Sequence, residues 1–198
     1  MSHDTWLHRL ALPGARLLAH TPVTPNQVTT ARLVLGLTAT GLFALGPAWN
    51  VAAGLTYLAS MILDRMDGVL ARLTGRSTPW GHKYDLAVDA VCDAVVFMGI
   101  GWGLRDGPLG EGAVWMGMVA GLAVAAVFWL VFRMEAIAGA RSAELGSMAG
   151  FDPDDGLLAV PLAAFLDWTQ PLLIAAAAVA PLFTAFMFWK FRAGPGRA

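Results

Sequence analysis

Long apolar runs constrain this chain more than any other feature, and the clearest passes from Ala113 to Phe132 without a charge. A bilayer core accepts roughly 20 such residues per helix. Composition agrees, with 57% of the 198 residues hydrophobic and only 14% charged, against about a quarter charged in soluble domains. The chain therefore reads as an all-α integral membrane protein of one domain, residues 1–198. Its net charge of −1 lacks the basic excess of nucleic-acid binders. A single cysteine, Cys92, provides neither an intramolecular disulfide nor a cysteine-based zinc site. The opening residues lack the continuous apolar core and cleavage site of a signal peptide.

Six transmembrane helices are expected: Val28–Leu45, Val51–Leu73, Tyr84–Leu104, Ala113–Ala138, Gly156–Asp167 running into Trp168, and Pro171–Phe191. The fifth is short and holds Pro161. Residues 1–22 mix Trp6, Leu7, Leu10, Leu12, Leu17 and Leu18 with Arg9 and Arg16. That pattern predicts an N-terminal interfacial amphipathic helix, broken near Pro13-Gly14, and leaves 23–192 for the six-helix bundle. With six spans, nearly all basic residues fall on one side: Arg9, Arg16, Arg72, Arg76, Lys83, Arg133, Arg141, Lys190, Arg192 and Arg197. Arg105 alone falls on the other. The basic side is expected to be cytoplasmic and to hold both termini and the active site, in a cell (inner) membrane. Most tryptophans, including Trp49, Trp80, Trp102 and Trp168, fall near span ends, as an aromatic belt requires.

Charges inside membrane helices mark function by default, and four aspartates cluster around the second and third segments. Asp64 and Asp67 are i, i+3 on one helix; Asp85 and Asp89 are i, i+4 on the next. Both spacings place a pair on one helical face. Turn residues Gly75, Ser77, Thr78, Pro79 and Gly81 lie between, so the two helices are expected to be antiparallel neighbours with facing carboxylates. Such a group repels itself unless cations intervene. Oxygen-only ligands select a hard ion, Mg²⁺ or Mn²⁺, which completes its shell with water and substrate phosphates. An acidic, metal-filled cleft at a membrane surface thus points to a pyrophosphate ligand. Gly68 and Ala71 share the face of Asp64 and Asp67 and are small enough for close approach, while Arg72 either neutralises a phosphate or snorkels.

From Asp64 to Asp89 the chain resembles the signature of the CDP-alcohol phosphotransferases. The pattern is Asp, two residues, Asp-Gly, two residues, Ala-Arg, eight residues, Gly, three residues, Asp, three residues, Asp, and every fixed position is matched. Chance agreement is on the order of 10⁻⁸ to 10⁻¹⁰ per starting position. Thr24-Pro25-Asn26 and Thr29, with Arg32, resemble the lead-in to the family's first span, which lines the same cleft. The resemblance implies that Asp64, Asp67, Asp85 and Asp89 hold a metal centre of two ions, and that Asp89 also deprotonates the acceptor hydroxyl. It implies donor contacts from Asn26, Thr29, Gly68, Ala71, Arg72 and Gly81, with Gly68 and Ala71 against the cytidine. The implied reaction moves a substituted phosphate from a CDP-linked donor, CDP-diacylglycerol in members of this size, to an alcohol, with release of CMP. Homodimers are common in the family.

Other residues divide between functional and structural readings. Arg133 and Arg141 flank Glu135 near the end of the fourth span, as a phosphate pocket for the donor or acceptor or as positive-inside anchors. They favour a phosphorylated acceptor such as glycerol 3-phosphate. The acidic run Asp152–Asp155 is an N-cap or part of an acceptor site, and there it would repel a phosphate. Asp93 is read as a structural hydrogen-bonding residue or as part of the cleft floor, and His82 and Lys83 as solvated loop residues rather than catalytic ones. Gly99, Gly101, Gly103, Gly117 and Gly121 permit close helix packing or a dimer contact. Two readings compete with the enzyme: a divalent-cation transporter using the aspartates, and a catalytically inactive scaffold.

Overall fold

The computed structural model describes residues 6–138 and 153–193, and the described residues form helices and turns with no strand. Helix α1 is Trp6–Ala19, α2 Pro25–Ala44, α3 Asn50–Thr74, α4 Pro79–Gly103 and α5 Gly112–Ala138. After a 3₁₀ run, Pro153–Leu158, come the short α6, Ala159–Phe165, and α7, Thr169–Ala193.

Local chemistry sets the boundaries. Thr24 opens α2 with a capping box: its hydroxyl accepts from the Gln27 amide at 3.4 Å, and the Gln27 side chain accepts from the Thr24 amide at 2.9 Å. Pro25 follows at the first helical position, where its missing N–H has no cost. Gly75 ends α3 in the left-handed region, φ +65°. Thr78 then caps α4, accepting from the Gly81 amide at 2.9 Å. The turn between α3 and α4 is thus shorter than expected, and Gly81, His82 and Lys83 lie in the first turns of α4 rather than in a loop.

Helix α1 also departs from expectation, because it continues through Pro13 instead of breaking there. Docking compensates for the missing hydrogen bond. Ala11 and Ala15 are fully buried, and a Cβ on Gly14 would lie 2.7 Å from the Met66 terminal methyl. The face of Ala15, Leu12, Leu18 and Ala19 packs with Val69, Leu70, Leu63 and Met66 of α3.

The hairpin of α3 and α4 is not a tight pair. Helix α2 packs extensively against both, while they barely touch each other. Small residues make this wedge possible. A Cβ on Gly36 would lie 2.6 Å from Cys92 Sγ of α4 and 3.3 Å from Ser60 Oγ of α3. Further along, Gly99 of α4 meets the Thr40 carbonyl, and Gly103 meets that of Phe43. Gly101 faces the Ala113 carbonyl, and Gly117 and Gly121 of α5 face the Phe97 and Ala94 carbonyls, each 2.5 Å from a built Cβ. These glycines therefore serve packing within the chain, which removes the observation behind a glycine-lined dimer seam. Helix α7 packs on α5, and α6 on α3.

Among the described residues, three helices are long and apolar enough to cross a membrane: Pro79–Gly103, Gly112–Met134 and Thr169–Trp189. Length and apolarity alone thus do not establish the expected six. Helices α2 and α3 have 20 and 25 residues, about 30 Å or more at 1.5 Å per residue. They fall short because they carry Arg32, Asp64, Arg65, Asp67 and Arg72. Helix α6 has seven residues, too few to span alone. Large apolar side chains such as Leu55, Trp115, Leu122, Trp129, Leu182 and Trp189 are exposed. In water so much apolar surface would drive aggregation; in lipid it is solvated.

Candidate active site

The wedge places α2 beside the acidic faces of α3 and α4. Carboxylate oxygens of Asp64, Asp85 and Asp89 lie within 4.8 Å of one another. The fourth expected ligand, Asp67, is not part of this trio. It is 3% exposed and accepts from the Thr29 hydroxyl at 2.6 Å. Thr29, expected to line the donor cleft, is therefore engaged with a member of the aspartate set.

The centre of the cluster is a residue of α2. Arg32 is 4% exposed, and its Nε lies 3.3 Å from Asp64 Oδ1. Its Nη1 donates to Asp89 Oδ1, and its Nη2 is 3.8 Å from Asp93 Oδ1. The Tyr57 hydroxyl donates to the same Asp93 oxygen at 2.9 Å, as expected for a structural Asp93. The Ser60 hydroxyl donates to the Arg32 carbonyl at 3.0 Å, tying this turn of α2 to α3. Sequence reasoning set Arg32 only in the lead-in to the first span and missed Tyr57 altogether. A usable signal existed for Arg32, since a lone guanidinium in an apolar helix needs buried carboxylates. Tyr57 carried no such signal.

Three carboxylates, Asp64, Asp89 and Asp93, thus surround one buried guanidinium, Asp85 completes the trio beside it, and Arg65 adds a weaker contact to Asp64 at 3.9 Å. Asp85 Oδ1 is buried without a hydrogen-bond partner. A charge excess and an orphaned carboxylate oxygen are features that a bound cation would satisfy. The all-oxygen donor set fits a hard divalent ion, and Asp64, Asp85 and Asp89 are the residues that would hold it.

The remaining expected residues border the cleft unevenly. A Cβ on Gly81 would lie 3.0 Å from both Asn26 Oδ1 and Thr78 Oγ1, so the start of α4 is pressed against the start of α2. The hydroxyls of Thr30 and Tyr84 meet beside it at 2.9 Å. Arg72 is exposed and its guanidinium reaches back over Gly68, 3.6 Å from a built Cβ. Ala71 is half-buried on the next turn. Arg133 is exposed, with its guanidinium 5.3 Å from the centre of the Trp129 ring, a stacked position that suits an anchor as well as a ligand. Arg141 and Asp152 lie outside the described residues.

Residues 22–189 match the CDP-alcohol phosphatidyltransferase family. The chain belongs to that family. Among its curated relatives is the archaetidylinositol phosphate synthase of Pyrococcus horikoshii, 34% identical over 88 residues, 44% of this chain and 46% of the relative. The phosphatidylinositol phosphate synthase of Mycobacterium tuberculosis (strain H37Rv) is 35% identical over 108 residues, 51% of this chain and 48% of that protein. The bifunctional IPC transferase and DIPP synthase of Rubrobacter xylanophilus is 36% identical over 86 residues, 43% of this chain and 19% of that one. The matched segments thus cover about half the length of the first two relatives. Family and relatives make this a transferase-family protein of phospholipid biosynthesis at the membrane.

Proposed function

We propose that this CDP-alcohol phosphatidyltransferase moves a phosphatidyl group from CDP-diacylglycerol to a phosphorylated polyol, with release of CMP. The convergence of Asp64, Asp85 and Asp89 from two helices carries the reading. A cleft with excess negative charge accepts a pyrophosphate only with divalent ions between them. Mg²⁺ or Mn²⁺ bound there supplies Lewis-acid stabilisation to the pyrophosphate and the leaving CMP.

The chain's own residues divide the remaining work. Asp64, Asp85 and Asp89 would hold one ion, and Asp67, whose carboxylate Thr29 fixes, is the proposed ligand of a second. The acceptor hydroxyl oxygen attacks the β-phosphorus, a new P–O bond forms, and the bond to the CMP oxygen breaks. Asp89 takes the hydroxyl proton. Its Oδ1 accepts from Arg32, which holds the carboxylate in place. Asn26 and Gly81 border the donor where α2 and α4 close together, and Gly68 and Ala71 leave room for the cytidine beside Arg72. Two exposed hydroxyl partners at the mouth, Thr30 and Tyr84, hold the α2 and α4 ends in register.

For the acceptor, relatives named as phosphatidylinositol phosphate and archaetidylinositol phosphate synthases favour an inositol phosphate over glycerol 3-phosphate. Arg133, with Arg141, is the candidate contact for the acceptor phosphate. Six spans remain the proposed topology, with α2 and α3 shielding their charges inside the bundle and the 3₁₀ run extending α6. The basic loops set the cleft and both termini on the cytoplasmic side of the cell membrane. Homodimerisation is proposed from family habit alone.

The test is CMP release by the purified protein with CDP-diacylglycerol and Mg²⁺, across acceptors that include inositol phosphate, glycerol 3-phosphate and serine, with and without EDTA. EDTA-sensitive release with inositol phosphate is the expected result. Release with glycerol 3-phosphate alone would reassign the acceptor. No release with any acceptor, from folded protein beside an active control, would overturn the reading and return the ion-pathway and scaffold alternatives.

A further inference from the structure

We propose that Arg32 is a built-in counter-cation of the aspartate cleft, a positioning residue that opposes divalent-ion binding while organising the ligands for it. The inference rests on the reading of the cleft as a divalent-ion site. Among the described residues, Arg32 is the one basic side chain in the buried class. Its guanidinium addresses three carboxylates from three directions, Asp64, Asp89 and Asp93. Two of those, Asp64 and Asp89, belong to the trio that would ligate a metal.

The position of Arg32 is imposed by the backbone around it. Ser60 holds its carbonyl, and Gly36 one turn later brings α2 close to both α3 and α4. Arg32 therefore cannot retreat to solvent, and a guanidinium buried without carboxylates is prohibitively unfavourable. Lysine would not replace it in full, because only the planar fork presents Nε, Nη1 and Nη2 to separate partners.

Two consequences follow from the charges. With no divalent ion, Arg32 keeps the carboxylates from repelling one another apart. With a divalent ion on Asp64 and Asp89, Arg32 becomes a like charge a few ångströms away and weakens binding. A residue that merely fills space would do neither. The design suits an enzyme whose ion must accommodate an arriving pyrophosphate and a departing CMP, since an over-tight ion would hold the product.

The experiment uses the full chain in detergent micelles. Free Mn²⁺ is followed by electron paramagnetic resonance during titration, and thermal unfolding is measured in EDTA and in saturating Mn²⁺. The variants are Arg32→Gln, Arg32→Lys and, as reference, Asp85→Asn, all purified with Mn²⁺ present and stripped afterwards. Arg32→Gln is expected to bind Mn²⁺ at least tenfold more tightly than the parent chain. It is expected to melt well below the parent in EDTA, with the gap closing as Mn²⁺ saturates. Arg32→Lys, which keeps the charge, is expected to bind Mn²⁺ within about threefold of the parent.

Mn²⁺ binding by Arg32→Gln that is unchanged or weaker, with a melting deficit indifferent to Mn²⁺, would overturn the proposal and reduce Arg32 to a packing residue. Failure of Arg32→Gln to fold even in saturating Mn²⁺ would do the same. A parent chain that takes up no Mn²⁺, or an Asp85→Asn variant that takes it up unchanged, would remove the divalent-ion reading itself.

Discussion

Helix α3 carries a polar cluster towards each end, and the two are built on opposite principles. Near its start, Asn50 is 5% exposed and its amide lies 3.3 Å from Asp167 Oδ1 and 3.2 Å from Thr169 Oγ1. About 21 Å along the axis, at 1.5 Å per residue, Asp64 joins a set of carboxylates that a single buried guanidinium cannot balance. At the Asn50 end, one neutral side chain with two donors meets two acceptors across the turn between α6 and α7. There Asp167 adopts a left-handed backbone, φ +56°, which Asp tolerates better than most residues. At the other end, Asp85 Oδ1 has no partner. Both clusters are polar groups in an apolar bundle. What separates them is completeness: satisfied polarity fastens helices, whereas unsatisfied charge awaits a ligand.

The contrast breaks most sharply at Asp89. Asp89→Asn keeps the side-chain shape but removes the proton acceptor and one metal-facing charge. CMP release is expected to fall by about 10³-fold or more, with CDP-diacylglycerol binding still measurable. Retained turnover would remove Asp89 as the base. The Asn50 end should respond in the opposite sense. Asn50→Leu leaves Thr169 and Asp167 short of a donor, a loss of about 1–3 kcal/mol in stability. Turnover per folded molecule and its Mg²⁺ dependence are expected to stay at the parent level. An Asn50→Leu variant that melts normally but loses activity would erase the distinction drawn between the two ends.

The sequence made one of these clusters legible and left the other dark. The spacing of Asp64, Asp67, Asp85 and Asp89 announces itself because charge in an apolar helix is conspicuous and helical periodicity fixes the face. Helix boundaries were less exact: α2 starts at Pro25 and α4 at Pro79, ahead of the expected Val28 and Tyr84, because Thr24 and Thr78 cap them. The wedge of α2 between α3 and α4 was not legible. It depends on Gly36, whose role appears only when Cys92 and Ser60 are known to approach from separate helices. The turn-rich connection expected between Leu73 and Tyr84 suggested that α3 and α4 pack directly, yet helices can splay from a shared turn when a third fills the gap. The division of the aspartates, with Asp67 on Thr29 and the others together, follows from that wedge and so was equally hidden. The continuity of α1 through Pro13 was hidden too, because it relies on docking against Met66 rather than on local propensity.

The subtlest test lies where the two principles meet, at Tyr57. Its side chain is 1% exposed, and its hydroxyl is a full partner of Asp93, which in turn neighbours Arg32. Tyr57→Phe preserves nearly all of the volume, so no cavity opens and only one hydrogen bond to a charged acceptor is lost. Such bonds contribute about 1.5–3 kcal/mol, and the contact from Arg32 to Asp93 remains to offset part of the loss. The expected result is a stability loss towards the lower end of that range, read by thermal unfolding, with CMP release within threefold of the parent. This outcome would make Asp93 and Tyr57 the satisfied backing of an unsatisfied cleft, closer in kind to Asn50 than to Asp89. A tenfold fall in turnover with an unchanged melting temperature would instead mean that Asp93 works with the cleft. The boundary between structural and functional polarity would then lie one helical turn deeper along α4.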